Sequence, residues 1–298
     1  MSSRQNHKST SQASRKRAKP QARKRFGQHF LERTWIAKIL NCIRPGASEL
    51  FLEVGPGCGE LTLPLATAGA KIIAVEIDRK LAANLRRLAP PSVQVVTGDV
   101  LHQDLPQLIR QSWIEVPSTI RVVGNLPYNL STPILNKLLE AQQMDLCFSD
   151  ATLMLQREVA DRVTGTPGSP TYGPLALMTQ VSAEAELVLS LPPGAFRPAP
   201  KVHSGLVKLS FRPSPVTIHD LSLFRRLIRS LFTQRRKTVL NAFRAFASTV
   251  SSLPPQELLD RARIEHNRRP GTLDLFEYAR LTAVLSEHKV NSSSIDPT

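Results

Sequence analysis

Asn125, Leu126, Pro127 and Tyr128 stand together where the apolar run Val122-Val123-Gly124 stops, within the stretch RVVGNLPYNLSTPIL. A plain turn needs neither an amide nor an aromatic ring at that point. Together they suit an exocyclic amine on a flat base. The lone pair of such a nitrogen is delocalised into its ring, so it is a poor nucleophile. Acceptors aimed at its N–H groups draw it toward tetrahedral geometry, and the Asn125 side-chain oxygen and the Leu126 carbonyl are such acceptors. Pro127 fixes the backbone direction, and Tyr128 offers a face on which the base can stack. Chemistry of this kind rests on positioning and electrostatics. It needs no general base if the transferred group is already activated.

The donor is read from FLEVGPGCGELT, in which Gly55, Gly57 and Gly59 follow an apolar strand and precede a helix. Glycine permits the tight turn and lets a ligand approach the backbone. Glu76, in AVEID about twenty residues on, is at the distance where an acid accepts from both ribose hydroxyls. The pattern predicts a nucleoside-containing cofactor, with NAD one candidate. Two features favour S-adenosylmethionine. The loop is G-x-G-x-G preceded by Glu53, where dinucleotide binding uses G-x-G-x-x-G. Asp99, in VTGDVL, ends a third strand where it can accept from an adenine amino group; a turn or capping aspartate is the plainer alternative. With that donor, the reaction at Asn125 is methylation of an exocyclic amine.

The elements that must hold these groups are legible in hydrophobic spacing. TWIAKILNCI has helical periodicity and stops at Pro45-Gly46. ELFLEVG, KIIAVEI, VQVVTGD and TIRVVGN read as strands, with ELTLPLATAG, RKLAANLRRL and LPQLIRQ as the helices between them. Single helices alternating with strands imply βαβ units and a parallel sheet covered on both faces, an α/β Rossmann-like architecture. Ligands of such sheets bind at the carboxyl ends of the strands, and every group above falls there. Residues 26–210 are expected to form this catalytic domain. FRPSPV is a Pro-punctuated linker, and 211–298 read as a small all-helical domain through HDLSLFRRLIRSLF, RRKTVLNAFRAFAS, PQELLDRARI and TLDLFEYARLTAVLSEH.

Charge is segregated along the chain. The net charge is +15 over 298 residues. Residues 1–31 hold nine Lys or Arg and no acid, 32–210 hold sixteen of each sign, and 211–298 hold fourteen bases against eight acids. Basic excess at both ends of a neutral core favours RNA or DNA as partner. An anionic membrane fits less well because the tail lacks an apolar face. Residues 1–25 are too polar to offset ordering entropy and are expected to be a disordered basic arm; an organelle transit peptide is the rival. No apolar run approaches bilayer-spanning length, and no apolar signal segment is visible. Cys42, Cys58 and Cys147 form no CxxC or Cys/His cluster, which predicts neither a disulfide framework nor a metal site but reduced thiols in a cytosolic protein.

With these residues assembled, the chain resembles the ribosomal RNA adenine dimethyltransferases, specifically the bacterial type that modifies small-subunit RNA. KRFGQHFL (24–31) resembles the family segment that closes over the cofactor, and LEVGPGCGELT, AVEIDRKL, TGDVL and GNLPYNLSTPIL follow in family order. FRPAPKVHSGLVKL (196–209) and LFTQRRKTVLNAF (231–243) are more specific still. The resemblance implies that His29, Leu31, Gly55, Glu76, Asp99 and Asn125 contact S-adenosylmethionine. His29 stands where many members carry Asn, so a backbone contact is expected of it. Phe196 would sandwich the flipped adenine opposite Tyr128, and Arg225, Arg226, Arg229, Arg235, Arg236 and Lys237 would grip phosphates. The implied substrate is a pair of adjacent adenosines in the 3′-terminal hairpin loop of small-subunit (16S) RNA, each dimethylated, on RNA or on a pre-30S particle, by a cytoplasmic monomer. Unpaired loop bases are cheap to splay out. The rival readings are a large-subunit adenine dimethyltransferase of the antibiotic-resistance type, a non-catalytic nucleic-acid-binding descendant, and a NAD-dependent oxidoreductase. The last sits badly with the glycine spacing and the bipolar charge.

Overall fold

The computed structural model describes residues 29–112, 119–143 and 148–288; the basic arm at 1–25 lies outside them. Seven strands form one sheet in the order β4-β3-β2-β5-β6-β9-β7. Its parallel half comprises β2 (Leu50–Val54), β3 (Lys71–Glu76), β4 (Val93–Thr97), β5 (Ile120–Asn125) and β6 (Phe148–Gln156). β9 (Ser204–Phe211) then runs antiparallel to β6, and β7 (Ala183–Leu191) antiparallel to β9 at the edge. A separate two-stranded ribbon joins β1 (Phe30–Leu31) to β8 (Phe196–Arg197), pairing Leu31 with Phe196.

Every residue of β2 is buried, as a parallel strand covered on both faces requires. Alternation divides its side chains. Leu50, Leu52 and Val54 join Ile73, Val75 and Val122 in one core. That core is closed by α4 (Leu105–Ser112) and α5 (Ser131–Gln143). Phe51 points the other way, with Ile72, Ala74 and Val123, against α1 (Arg33–Ile43) and α2 (Thr62–Thr67). α3 (Arg79–Leu88) starts where the Asp78 side chain accepts from the Lys80 and Leu81 N–H groups, a cap that satisfies donors the helix itself leaves free. It buries Ala82 and Leu85 against β4.

A second core belongs to α8 (Leu221–Thr233), α9 (Val239–Ala247), α10 (Pro255–Arg261) and α11 (Leu275–Glu287). It also takes in Tyr172 and, from α7 (Pro174–Ser182), Ala176, Leu177 and Val181. A helix from the portion expected to be catalytic therefore serves as the floor of the helical region. The helix expected over 235–248 begins later, at Val239, because the Thr238 side chain caps it by accepting from the Asn241 N–H. Arg235, Arg236 and Lys237 thus lie in the turn between α8 and α9. α6 (Arg157–Val163) completes the layer over β9.

No described helix is long and apolar enough to cross a membrane. Among the described residues no three His, Cys, Asp or Glu gather as a metal-holding group.

Candidate active site

A cavity of about 690 Å³, counting its open mouth, lies at the carboxyl ends of β2, β3 and β5. Its wall is built from the turns after those strands and from β1, and it includes His29, Leu31, Gly55, Glu76, Asn125, Leu126, Pro127 and Tyr128. The structure thus brings most of the residues singled out in the sequence into one concave site.

The loop after β2 turns at Gly55 (φ 69°) and Gly57 (φ 58°), a left-handed conformation that glycine adopts at least cost. The turn lets the Gly55 N–H donate to the Val75 carbonyl and the Gly57 N–H donate to Glu76 Oε2. Glu76 Oε1 accepts from the Asp78 N–H. Glu76 is only 4 % exposed, and burial pushes its carboxyl above the usual range while those backbone donors pull it back. Each oxygen has spare acceptor capacity, so an anchored carboxylate faces the cavity.

Two further acids line the same wall. Glu53 is 2 % exposed, and its Oε2 has no hydrogen-bond partner among the described residues. Burial pushes its carboxyl up to about 8; Thr62 pulls it down, and the Glu76 and Glu60 charges push it further up. The Thr62 hydroxyl itself also lacks a hydrogen bond of standard geometry among the described residues. Glu60 accepts the Leu31 N–H at 2.9 Å, and burial raises its carboxyl to about 7. The named wall includes no Lys or Arg. An orphaned carboxyl oxygen among three acids suits a ligand carrying positive charge.

At the end of β5 the Asn125 amide is oriented by a residue far back in the chain. Its Nδ2 donates to the His29 carbonyl at 2.8 Å. Two acceptors would repel there, so the contact assigns the nitrogen to His29 and leaves Oδ1 as the free acceptor. Leu126 is 1 % exposed, and its N–H donates to the Met154 carbonyl. Among the described residues nothing donates to its own carbonyl. The Tyr128 hydroxyl meets Ser204 Oγ at 2.6 Å, and the Tyr128 carbonyl accepts from Ser131 Oγ at 3.0 Å. The hydroxyl contact holds the far end of the ring, and Ser131 holds the backbone that carries it. His29 stacks on it, with centroids 5.3 Å apart and planes at 24°.

Three of the residues singled out in the sequence stand outside that wall. Phe196 does not line the cavity. It is 2 % exposed and packs in the core with Leu31, Ala195 and Leu206, because the β1–β8 pairing turns its ring inward. Asp99 stands in the turn after β4 but outside the named wall. Its Oδ1 accepts from the Leu101 N–H and caps the short 3-10 helix Val100–His102, and its Oδ2 lies 3.5 Å from His102 Nδ1. Arg235 is occupied structurally, donating to the Pro170 and Ser169 carbonyls at 2.7 and 2.6 Å.

The remaining basic residues divide by exposure. Arg225 pairs with Glu140 at 3.1 Å, and Arg226 lies over the Phe246 ring. Arg226, Arg229, Arg236 and Lys237 are exposed. Sequence reasoning missed Glu60 and Ser204. A carboxylate inside the otherwise small and apolar loop GPGCGELT was the one available signal for Glu60.

A parallel sheet reversed at one edge, with a glycine loop, a buried acid and an Asn-Leu-Pro-Tyr turn at its carboxyl ends, defines a Rossmann-like methyltransferase. The ribosomal RNA adenine dimethylase family model matches residues 19–281, and the chain belongs to that family. It is 38 % identical over 265 residues to a ribosomal RNA small subunit methyltransferase A of Acinetobacter baylyi, covering 88 % of this chain and 91 % of that protein. Among solved structures, a dimethyladenosine transferase from Plasmodium falciparum has the same fold (TM-score 0.73, 23 % identity, 87 % of this chain and 98 % of that one). The 23S rRNA methyltransferase ErmE matches with TM-score 0.64 and 26 % identity over 86 % of this chain and 99 % of that one.

Proposed function

We propose that this protein dimethylates N6 of adenosines in small-subunit ribosomal RNA, using S-adenosylmethionine, during assembly of that subunit. The observation that carries the reading is the anchored Asn125 amide, whose Oδ1 and the neighbouring Leu126 carbonyl are acceptors left free at the cavity. The 38 % identity to a small-subunit methyltransferase supports that subunit as the target. We assign the substrate to adjacent adenosines in the 3′-terminal hairpin loop, and the active form to a monomer acting in the cytoplasm.

The residues present fit S-adenosylmethionine: the glycine turn offers a close backbone approach, and the orphaned Glu53 oxygen suits a cationic group. Gly55, Gly57, Glu76, Glu53, Leu31 and the backbone of His29 would hold it, with Asp99 at the adenine end. When bound, it supplies an electrophilic methyl group on a sulfonium. The protein's own work is done elsewhere. Asn125 Oδ1 and the Leu126 carbonyl accept the two N–H groups of the target amine and free its lone pair. Tyr128, tethered through Ser204, presents a ring on which the base stacks, worth ~1–3 kcal/mol and enough to offset much of its unstacking. Leu126 and Leu61 keep the wall dry, which strengthens those polar contacts. Exposed Arg226, Arg229, Arg236 and Lys237 would hold phosphates.

The test is methyl transfer from labelled S-adenosylmethionine to undermethylated small subunits, with large subunits in parallel and product bases mapped. Dimethyladenosine at neighbouring small-subunit positions, lost in Asn125→Ala, is expected. Label confined to large-subunit RNA would instead give the protein the activity named for ErmE.

A further inference from the structure

With Phe196 in the core, the ring that meets Tyr128 is the imidazole of His29. Both rings line the cavity, and His29 covers one face of Tyr128 there. Among the described residues the imidazole makes one side-chain hydrogen bond, Nδ1 to the Pro198 carbonyl at 2.7 Å, on the exposed side. A carbonyl only accepts, so Nδ1 carries the proton in this contact. The backbone of the same segment is held separately, through the His29 carbonyl on Asn125 and the Leu31 N–H on Glu60.

We infer that the His29 imidazole is a placeholder for the target base: it covers the stacking face of Tyr128 while RNA is absent and must swing away before the base can dock. The inference rests on the activity proposed above. Stacked atoms sit about 3.5 Å apart, so a base lying between two rings holds the outer pair about 7 Å apart. The 5.3 Å between His29 and Tyr128 is too short for that. The base therefore replaces the imidazole or forces it aside. Rotation about the His29 side-chain bonds is enough, because neither backbone anchor depends on the ring. The Asn125 amide keeps its orientation while the stacking face is vacated. His29 is in this sense a positioning residue.

The experiment measures KM for undermethylated small subunits and, separately, docking of a hairpin RNA carrying 2-aminopurine at the target position, whose fluorescence falls on stacking. His29→Ala is expected to lower the RNA KM and tighten docking by about three- to tenfold, the scale of a fraction of one stacking contact. His29→Trp, a larger ring on the same face, is expected to weaken both. In a Tyr128→Ala background, His29→Ala is expected to leave docking unchanged, since the contested ring is gone. Cofactor binding by calorimetry on each variant shows that the site is intact. A looser RNA in His29→Ala with normal cofactor binding would overturn the inference and make His29 a second supporting face. Equal docking in all three His29 forms would overturn it too. Wild-type protein that methylates neither subunit would instead remove the activity itself.

Discussion

The Asn125 amide and the His29 carbonyl, 96 residues apart in the chain, meet at 2.8 Å, and this contact decides which atom of the amide faces a substrate. The nitrogen is taken by a carbonyl that can only accept, so the oxygen is presented. Asn125→Asp puts an acceptor against an acceptor, and Asn125→Ala removes the group. Both are expected to lower kcat by about 10²–10³-fold, the usual cost of losing one preorganised polar group at a reacting centre. The melting temperature of Asn125→Ala should change little. A kcat within tenfold of wild type in Asn125→Ala would count against the role assigned to the amide.

Glu53 and Glu60 make the site pH-sensitive. Burial raises their carboxyls to about 8 and about 7, against an ordinary value of 4.5. Between 4.5 and those values the folded protein keeps protons that the unfolded chain has lost, so the contribution of these two carboxyls to stability falls as pH rises from about 4.5 toward 8. A cationic ligand favours the carboxylate forms, so its binding releases protons and tightens with pH up to about 8. Calorimetry of S-adenosylmethionine binding in two buffers of different ionisation enthalpy reads that release directly. Glu53→Gln should reduce both the release and the pH slope. Binding that weakens between pH 6 and 8 would contradict the assignment.

Gly124 precedes Asn125 at a point of close approach. A Cβ there would lie 2.8 Å from the Val54 carbonyl oxygen, which is held in the sheet and cannot move away. Gly124→Ala is expected to cost about 1–3 kcal/mol as an overpacked core position. It should also reduce methyl transfer, because the strain falls on the residue that carries the amide. Denaturant melts and single-turnover rates separate the two effects.

Arg121 ties the opposite end of the sheet together. Its guanidinium donates to Asp150, Glu49 and the Ile43 and Arg44 carbonyls, and its side chain is 14 % exposed. Removing it leaves Asp150 without its partner, so Arg121→Met should lose about 3 kcal/mol, the lower end for a broken buried pair. Chemical denaturation checks the loss. Cofactor affinity should be unaffected, since none of these groups lines the cavity.

The basic turn divides into two functions. Arg236→Ala and Lys237→Ala should each weaken RNA binding and lower the salt slope by about one, with no change in melting. Arg235→Ala should act mainly on stability, by about 1.5–3 kcal/mol for each lost charged hydrogen bond, because it releases the Ser169 and Pro170 carbonyls. A salt titration of RNA affinity alongside thermal melts distinguishes the classes.

Local pattern determined much of this protein. The βαβ alternation from Leu50 to Asn125, the glycine turn, Glu76 and Asn-Leu-Pro-Tyr were legible because each depends on neighbours within a few residues or on one strand's periodicity. α3 was readable to both ends, since Asp78 caps it and Ala89-Pro90 cannot continue it. The stretch from α5 to β9 was not. α7 shows little one-sidedness because it is buried on two sides, Leu175 in the sheet core and Leu177 and Val181 in the helical core. β7 is an edge strand whose register shifts between Leu187 and Leu189.

Only the tertiary structure decided which aromatic stays at the site. Phe196 is drawn into the core by strand pairing with β1, and His29 is brought onto Tyr128 by the same ribbon. That Arg235 donates to two backbone carbonyls, and that burial raises the Glu53 carboxyl, arise in the same way. Each answer depends on which distant segments exclude water around a side chain, and no local spacing encodes that.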